Sequence, residues 1–482
     1  MKRRISLSCL GFAVLLGLIL PVSAGTLDPG AKIAPRVLAE TQNGKTTEAL
    51  VVLSEQADLR PAASLPTKDE KGVFVVNALR EVANRTQAPV LRMLDSLGVP
   101  YQSFFIVNMI KVTGGRSLME QLAARADVAH IDANPHVKTA LPQPTGVDTA
   151  QASGIEWNVT RVKAPDVWNL GYRGEGLVVA GADTGVQWDH PALKNHYRGW
   201  DGQNVNHDYN WHDAIQNSQA PIDPHGHGTF TVSEMVGDDG QGNQIGVAPG
   251  AKWIACRNMD SGGNGSPASY TECFQFLIAP YPWNQPDKGD PTKAPDSINN
   301  SWICPPSEGC STNTLQAIVE AVRAAGIFPA MAAGNSGPGC SSVDTPPAIY
   351  AAAVSVGATD SNDNIAGFSS RGPVIADMSN RIKPNLSAPG AGIRGAVPGN
   401  GYQSGWSGTS MATPHVAASV ALLWQAKPSL IGDIDTTQRL LQQNTVPGHY
   451  VSIVSCGITP GNRPNNGFGW GLLNILNAVQ AH

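Results

Sequence analysis

From about residue 150 onward, short apolar runs alternate with stretches of helical periodicity. Residues 177–182, 252–255, 297–300, 327–330 and 352–356 are predicted strands, and 314–325 and 410–425 are predicted helices. Near-continuous apolar strands separated by helices imply a parallel sheet covered on both faces. The pattern before residue 140 is different. It predicts a strand over 49–53, a helix over 82–97, a strand over 103–110, a helix over 118–126 and a closing strand over 128–131. Two helices interleaved with short strands fit a small α+β sandwich. Between the two patterns lies Thr139-Ala140-Leu141-Pro142-Gln143-Pro144-Thr145-Gly146, uncharged and proline-rich, which cannot bury enough surface to fold and presents extended backbone to proteolysis.

The first residues change the picture of where the chain works. Lys2-Arg3-Arg4 precede an apolar run from Leu10 to Leu20 and then Val22-Ser23-Ala24, the layout of a secretory leader cleaved after Ala24. The run falls well short of the roughly 20 residues a membrane span needs. The expected organisation is a leader over 1–24, a small α+β domain over 25–145 and an α/β domain over 146–482, exported to the extracellular space or periplasm. Beyond Cys9, six cysteines remain, which suggests three disulfides in an exported chain. Six cysteines allow 15 pairings; the local choices are Cys256 with Cys273 and Cys304 with Cys310, which leaves Cys340 with Cys456. No Cys-x-x-Cys pair points to structural zinc. A net charge of −5 gives no sign of nucleic-acid binding, and no segment after the leader is long and apolar enough for a membrane. Charged residues make up only 15% of the chain, below the typical ~25%, and with 51 glycines this suggests a compact fold with many tight turns.

Candidate chemistry gathers in four segments. Gly408-Thr409-Ser410-Met411-Ala412-Thr413-Pro414-His415 sets a serine where a helix-prone run begins, beside unpaired N–H groups and the positive end of the dipole. A serine there is also a common helix cap. Asp183 ends the 177–182 strand and is followed by the turn Thr184-Gly185-Val186, so its carboxylate could reach a histidine while partly buried. His225-Gly226-His227-Gly228-Thr229-Phe230 offers an imidazole for proton transfer near neutrality, or two metal ligands. Met331-Ala332-Ala333-Gly334-Asn335-Ser336-Gly337 follows a strand, so Asn335 projects from the edge where parallel sheets place ligands. No Gly-x-Ser-x-Gly elbow is present, which disfavours an α/β-hydrolase.

These four segments, in the order Asp, His, Asn, Ser, resemble the motifs of the subtilisin-like serine proteases. The resemblance spans nearly all of residues 150–482, and Trp157-Asn158-Val159 and Asn299-Asn300-Ser301-Trp302 are most similar to the bacillopeptidase F group. It implies a catalytic triad of Asp183, His227 and Ser410, with His225 a bystander and Asn335 the side-chain donor of an oxyanion hole. It also implies a peptide cleft: Gly263, Asn264 and Gly265 as an edge to which a substrate strand adds, faced by Ser301, Trp302 and Ile303, with Ala332, Ala333 and Gly334 alongside. Subtilisins usually carry glycine and a large apolar residue in place of Trp302-Ile303, so their preference for large apolar side chains does not carry over. Residues 25–145 resemble the family's propeptide, which acts as intramolecular inhibitor and chaperone. Other partners implied are protein or peptide substrates. The chemistry needs no cofactor. Residues 237–243 and 201–213 offer oxygen ligands and read first as acidic surface loops, with structural calcium the alternative. Met411, next to the nucleophile, is an expected site of oxidative inactivation.

Overall fold

The computed structural model describes residues 29–135, 137–138, 141–142, 154–449, 456–458 and 462–481. The expected leader and most of the expected linker lie outside these residues.

The amino-terminal part is an antiparallel sheet in the order Tyr101–Phe104, Met109–Gly114, Thr47–Leu53, Val128–Ala133, carrying the helices Lys68–Ser96 and Arg116–Ala123. Alternation along the central strand sorts its side chains. Ala49, Val51 and Leu53 join a core with Val90, Leu94, Leu118 and Leu122. Leu50 belongs instead to a cluster with Phe104, Ile106 and Met109 that continues into Tyr270, Phe274 and Leu277 of the second domain. The two domains therefore share apolar surface.

Two expectations need correction here. The run 103–110 is not one strand but a hairpin turning at residues 105–108. Its turn amides are satisfied from outside: Phe105 and Ile106 N–H donate to Gln275 Oε1 of the second domain (2.6 and 3.3 Å). The helix expected from residue 82 starts at Lys68, where Thr67 and Glu70 form a capping box.

The second domain is built on seven parallel strands, in the order Leu386–Pro389, Val354–Thr359, Phe328–Ala332, Ser297–Asn300, Val178–Asp183, Lys252–Arg257, Trp211–Asp213. Alternate residues serve opposite layers. Val179, Trp253, Ala255, Phe328 and Ala330 pack with Val232, Val416 and Val420 of the helices His227–Val236 and Thr409–Ala426. Ala180, Ala182, Ile254, Ile298 and Met331 pack with Phe274, Leu277, Ile318 and Val322 of Pro267–Ile278 and Gln316–Ala324. The expected two-faced α/β sheet is present, with two additional short edge strands. Neither Leu-Ser-Ala-Pro nor Trp-His-Asp carries an apolar run that would announce it. The three disulfides pair Cys256 with Cys273, Cys304 with Cys310 and Cys340 with Cys456, as expected.

Candidate active site

Asp183 is the last residue of its strand and is buried. Its Oδ1 accepts the Thr184 amide (2.7 Å) and lies 2.8 Å from His227 Nδ1. His227 opens the helix His227–Val236 and is fully buried. Among the described residues its Nε2 has no hydrogen-bond partner, which leaves one imidazole nitrogen held by a carboxylate and the other unengaged. Two glycines make this approach possible. Gly185 has φ +118°, and a Cβ there would meet Ile222 O at 1.8 Å. A Cβ on Gly228 would meet Gly185 O at 2.1 Å, so the helix start can lie against the strand end only without one.

His225 stands beside His227 with ring centroids 6.2 Å apart, and its Nδ1 accepts the His227 amide at 3.3 Å. Burial, with the adjacent His227, holds its imidazole below the ordinary value. Among the described residues no group of three or more His, Cys, Asp or Glu side chains is placed to hold a metal ion. In the candidate calcium segments two carboxylates accept hydrogen bonds from protein donors. Asp239 accepts from the Gln241 and Asn243 backbone, the Asn243 side chain and the Tyr402 hydroxyl, and Asp201 accepts from the Gln203 and Asn204 amides.

Ser410 is the second residue of Thr409–Ala426, a helix buried from Thr409 to Trp424 and therefore apolar nearly all round. Pro414 sits four residues after Ser410 and has no N–H to give to the Ser410 carbonyl. That carbonyl instead accepts from Ser301 Oγ (2.8 Å), while Ser410 Oγ donates to the Ser301 carbonyl (2.9 Å). The hydroxyl is thus turned toward Ser301 and not bonded to His227. Ser301, expected only as a cleft wall, fixes the nucleophile candidate from both sides.

Asn335 is exposed. Its Oδ1 accepts the Thr409 amide (2.8 Å) and hydroxyl (2.9 Å), and Gly334 N–H donates to the same hydroxyl (3.1 Å). An amide N–H can only donate, so the atom facing it must be the oxygen. The Asn335 NH2 is therefore presented outward, 3.4 Å from where a Gly408 Cβ would stand.

The expected cleft residues flank this centre. Ile303 faces Gly334, with its Cγ2 4.0 Å from a Cβ built there. Ala332 and Ala333 are buried, and Trp302, also buried, donates from Nε1 to Ala182 O (2.9 Å) and stacks on Tyr270 with centroids 3.9 Å apart. Trp302 thus faces the core more than an open groove. Asn264–Gly265 pairs antiparallel with Val137–Lys138 of the same chain, beyond Gly263 at the turn. Farther along, Pro142 packs on Gly408: a Cβ there would meet Pro142 Cγ at 2.8 Å. The chain leading out of the first domain thus runs along the glycine edge to the start of the Ser410 helix.

One contributor escaped the sequence reading. Asp223, 8% exposed, accepts five hydrogen bonds: at Oδ1 from Thr184 Oγ1, His225 N and Gly226 N, and at Oδ2 from Thr229 N and Oγ1. It binds the turn after Asp183 to the start of the His227 helix. The signal was present in Asp223-Pro224-His225-Gly226, since an Asp two residues before a turn amide commonly accepts from it.

Comparison with known proteins gives the family. Residues 174–471 match the subtilase family. Bacillopeptidase F of Bacillus subtilis (strain 168) is 38% identical over 448 residues, 89% of this chain and 30% of that protein. The alkaline protease of Alkalihalobacillus alcalophilus is 32% identical over 281 residues, 58% of this chain and 62% of that protein. Subtilisin Savinase of Lederbergia lenta is 32% identical over 278 residues, 58% of this chain and 87% of that protein. The chain thus spans under a third of bacillopeptidase F and under two thirds of the alkaline protease. With the family matching more than half of its length, the chain belongs to the subtilases, a family of serine endopeptidases.

Proposed function

We propose that this chain is an exported serine endopeptidase, made as a self-inhibited precursor, that hydrolyses peptide bonds through Asp183, His227 and Ser410. The observation carrying this reading is the buried 2.8 Å contact of His227 Nδ1 with Asp183 Oδ1, with His227 Nε2 left unengaged. In the reaction, Ser410 Oγ leaves the Ser301 carbonyl and attacks the peptide carbonyl as His227 Nε2 takes its proton. Asp183 fixes the tautomer and stabilises the imidazolium. The Asn335 NH2 and the Ser410 amide, in the first turn of its helix, receive the oxyanion. His227 returns the proton to the leaving amine, then activates water against the acyl-enzyme. No metal or organic cofactor takes part.

The pairing of residues 137–138 with the glycine edge and the seat of Pro142 on Gly408 support a first domain that inhibits by lying in the cleft as a substrate would. The expected leader, 1–24, supports export, and no helix among the described residues is long and apolar enough to cross a membrane. Residues 25–145 as propeptide and 146–482 as peptidase remain the proposed division, with protein or peptide substrates as partners. The test is to express the full chain beside Ser410→Ala and follow chain length and casein hydrolysis. The wild type should shorten itself and digest casein, while the variant should lose at least about 10^4-fold in turnover and stay full length. Self-shortening that persists in Ser410→Ala would refute the nucleophile assignment.

A further inference from the structure

Beside the glycine edge lies a buried carboxyl group that the triad does not use. Glu308 sits in the seven-residue loop closed by the Cys304–Cys310 disulfide and is 1% exposed. Its Oε2 accepts the Tyr270 hydroxyl at 3.0 Å, and among the described residues its Oε1 has no partner. Burial pushes its pKa up to about 8 against the lowering effect of the Tyr270 hydroxyl, so the group is held neutral. A neutral, half-satisfied carboxyl buried at an edge that takes a substrate strand is costly unless another state gives it a partner.

The chain leaving the first domain passes beside it. Pro135 packs on Gly309, where a Cβ would meet its Cδ at 2.4 Å, and two residues later the chain pairs with Asn264–Gly265. Gly265 lies directly against the Tyr270 ring, since a Cβ there would meet it at 2.5 Å. Arg36 holds the same loop through the Ser307 carbonyl (2.8 Å). Pro135 thus sets an apolar ring, with no N–H of its own, beside the loop that carries Glu308. In the reading above, this is the path that the acyl side of a substrate follows once the first domain leaves.

We propose that Glu308 and Tyr270 form the floor of a remote acyl-side subsite that selects a lysine or arginine in the substrate, a few residues before the scissile bond. The inference rests on the peptidase reading. The Tyr270 ring, backed by the stacked Trp302, supplies a flat apolar wall for the methylene stem, and Glu308 meets the charged head. An apolar residue there would leave the carboxyl buried and protonated. A cation lets it ionise and fills the open Oε1, a charge-assisted bond in a site shielded from water. The Cys304–Cys310 bridge holds the carboxyl in place, so the preference belongs to one substrate position.

The test uses the self-processed wild type and Glu308→Gln, with rates normalised to sites titrated by an irreversible serine reagent. Peptides carry arginine, citrulline or norleucine at each of the second to fifth positions before the bond. At one position the wild type should favour arginine over both neutral residues by about tenfold in kcat/KM, and Glu308→Gln should bring that ratio near one. The arginine-to-citrulline ratio is read in the wild type alone, so it stands even if the variant does not fold. A wild type that titrates and cleaves without a basic preference, or keeps its preference in Glu308→Gln, overturns the subsite alone. A wild type that neither titrates nor cleaves any peptide overturns the peptidase reading and the subsite with it.

Discussion

Asp223→Asn is the sharpest probe of how the acid and the base are held together. The carboxylate takes five donors with two oxygens, among them the backbone amides of His225, Gly226 and Thr229. Thr184 Oγ1 adds a relay, accepting from Gly228 N–H (2.9 Å) while donating to Asp223. One atom thus ties the residue after Asp183 to the residue after His227. Asparagine has the same shape, but its NH2 must face one of the two donor sets. Turned toward Thr229, it leaves that buried amide without an acceptor, which costs about 1–3 kcal/mol, and the remaining bonds lose their charge assistance at about 1 kcal/mol each. Allowing for non-additivity, the loss should be about 3–5 kcal/mol. If the His227 loop shifts by about 1 Å in response, kcat/KM should fall on the order of 100-fold. Urea unfolding in a Ser410→Ala background measures the stability without self-digestion, and peptide hydrolysis measures the turnover. A pH profile distinguishes positioning from simple loss of folded protein, because a displaced Asp183 changes the apparent pKa of the base and a smaller active fraction does not. Stability within about 1 kcal/mol of wild type, together with an unchanged pH profile, would refute this account of the network.

Asn335→Leu should lower kcat by about 10^2- to 10^3-fold with little change in KM, the range found for an oxyanion donor in a subtilisin. Thr409→Val, which removes the hydroxyl that orients the amide, should give a smaller loss of the same kind in the same steady-state assay. Glu234 is fully buried, neither carboxyl oxygen has a partner among the described residues, and burial raises its pKa well above 4.5. The native state therefore keeps a proton that the unfolded chain releases, and stability should fall as pH rises through the ordinary glutamate range. Glu234→Gln should raise Tm at pH 8 and leave it unchanged at pH 4; equal shifts at both would contradict this. Met411 is fully buried against Phe230, Ile393 and Trp406. Peroxide should abolish activity in the wild type and spare Met411→Ala, at a stability cost of about 2–5 kcal/mol from the cavity; equal peroxide sensitivity would sink the assignment.

The parallel sheet was legible because its central strands are buried on both sides and read as unbroken apolar runs. The edge strands Leu386–Pro389 and Trp211–Asp213 were not, because each is too short to show a period and owes its pairing to its neighbour. The hairpin at 105–108 was lost for a related reason: its turn is stabilised by Gln275, some 170 positions away, and no local residue marks it. The capping box at Thr67 and the Asx signal at Asp223 were local and readable in principle. Asp183, His227, Asn335 and Ser410 could be singled out because each sits in a short motif. Ser301 and Thr409 lie in such motifs too, but their part in orienting Ser410 and Asn335 emerges only when sheet and helix are brought together.

If the chain is made as the proposed self-inhibited precursor, the orientation of Ser410 bears on how the candidate catalytic groups stay silent in it. His227 is already bonded to Asp183, and the Asn335 amide is already turned outward, so neither needs to be assembled. What differs from a reacting state is the Ser410 hydroxyl, directed at the Ser301 carbonyl while Pro142 occupies the space over Gly408. Rotation about a single side-chain bond is fast compared with catalysis. It cannot be the lasting barrier. In the proposed reading the lasting barrier is the chain that lies on Gly408 and along Asn264–Gly265, held by contacts that reach back into the first domain through Asn134, whose Oδ1 accepts the Ala268 amide (2.9 Å) and whose Nδ2 donates to Glu48 (2.6 Å). Loss of the Asn134 contacts should therefore loosen inhibition without touching any catalytic group, because it cuts the tether and leaves the centre intact.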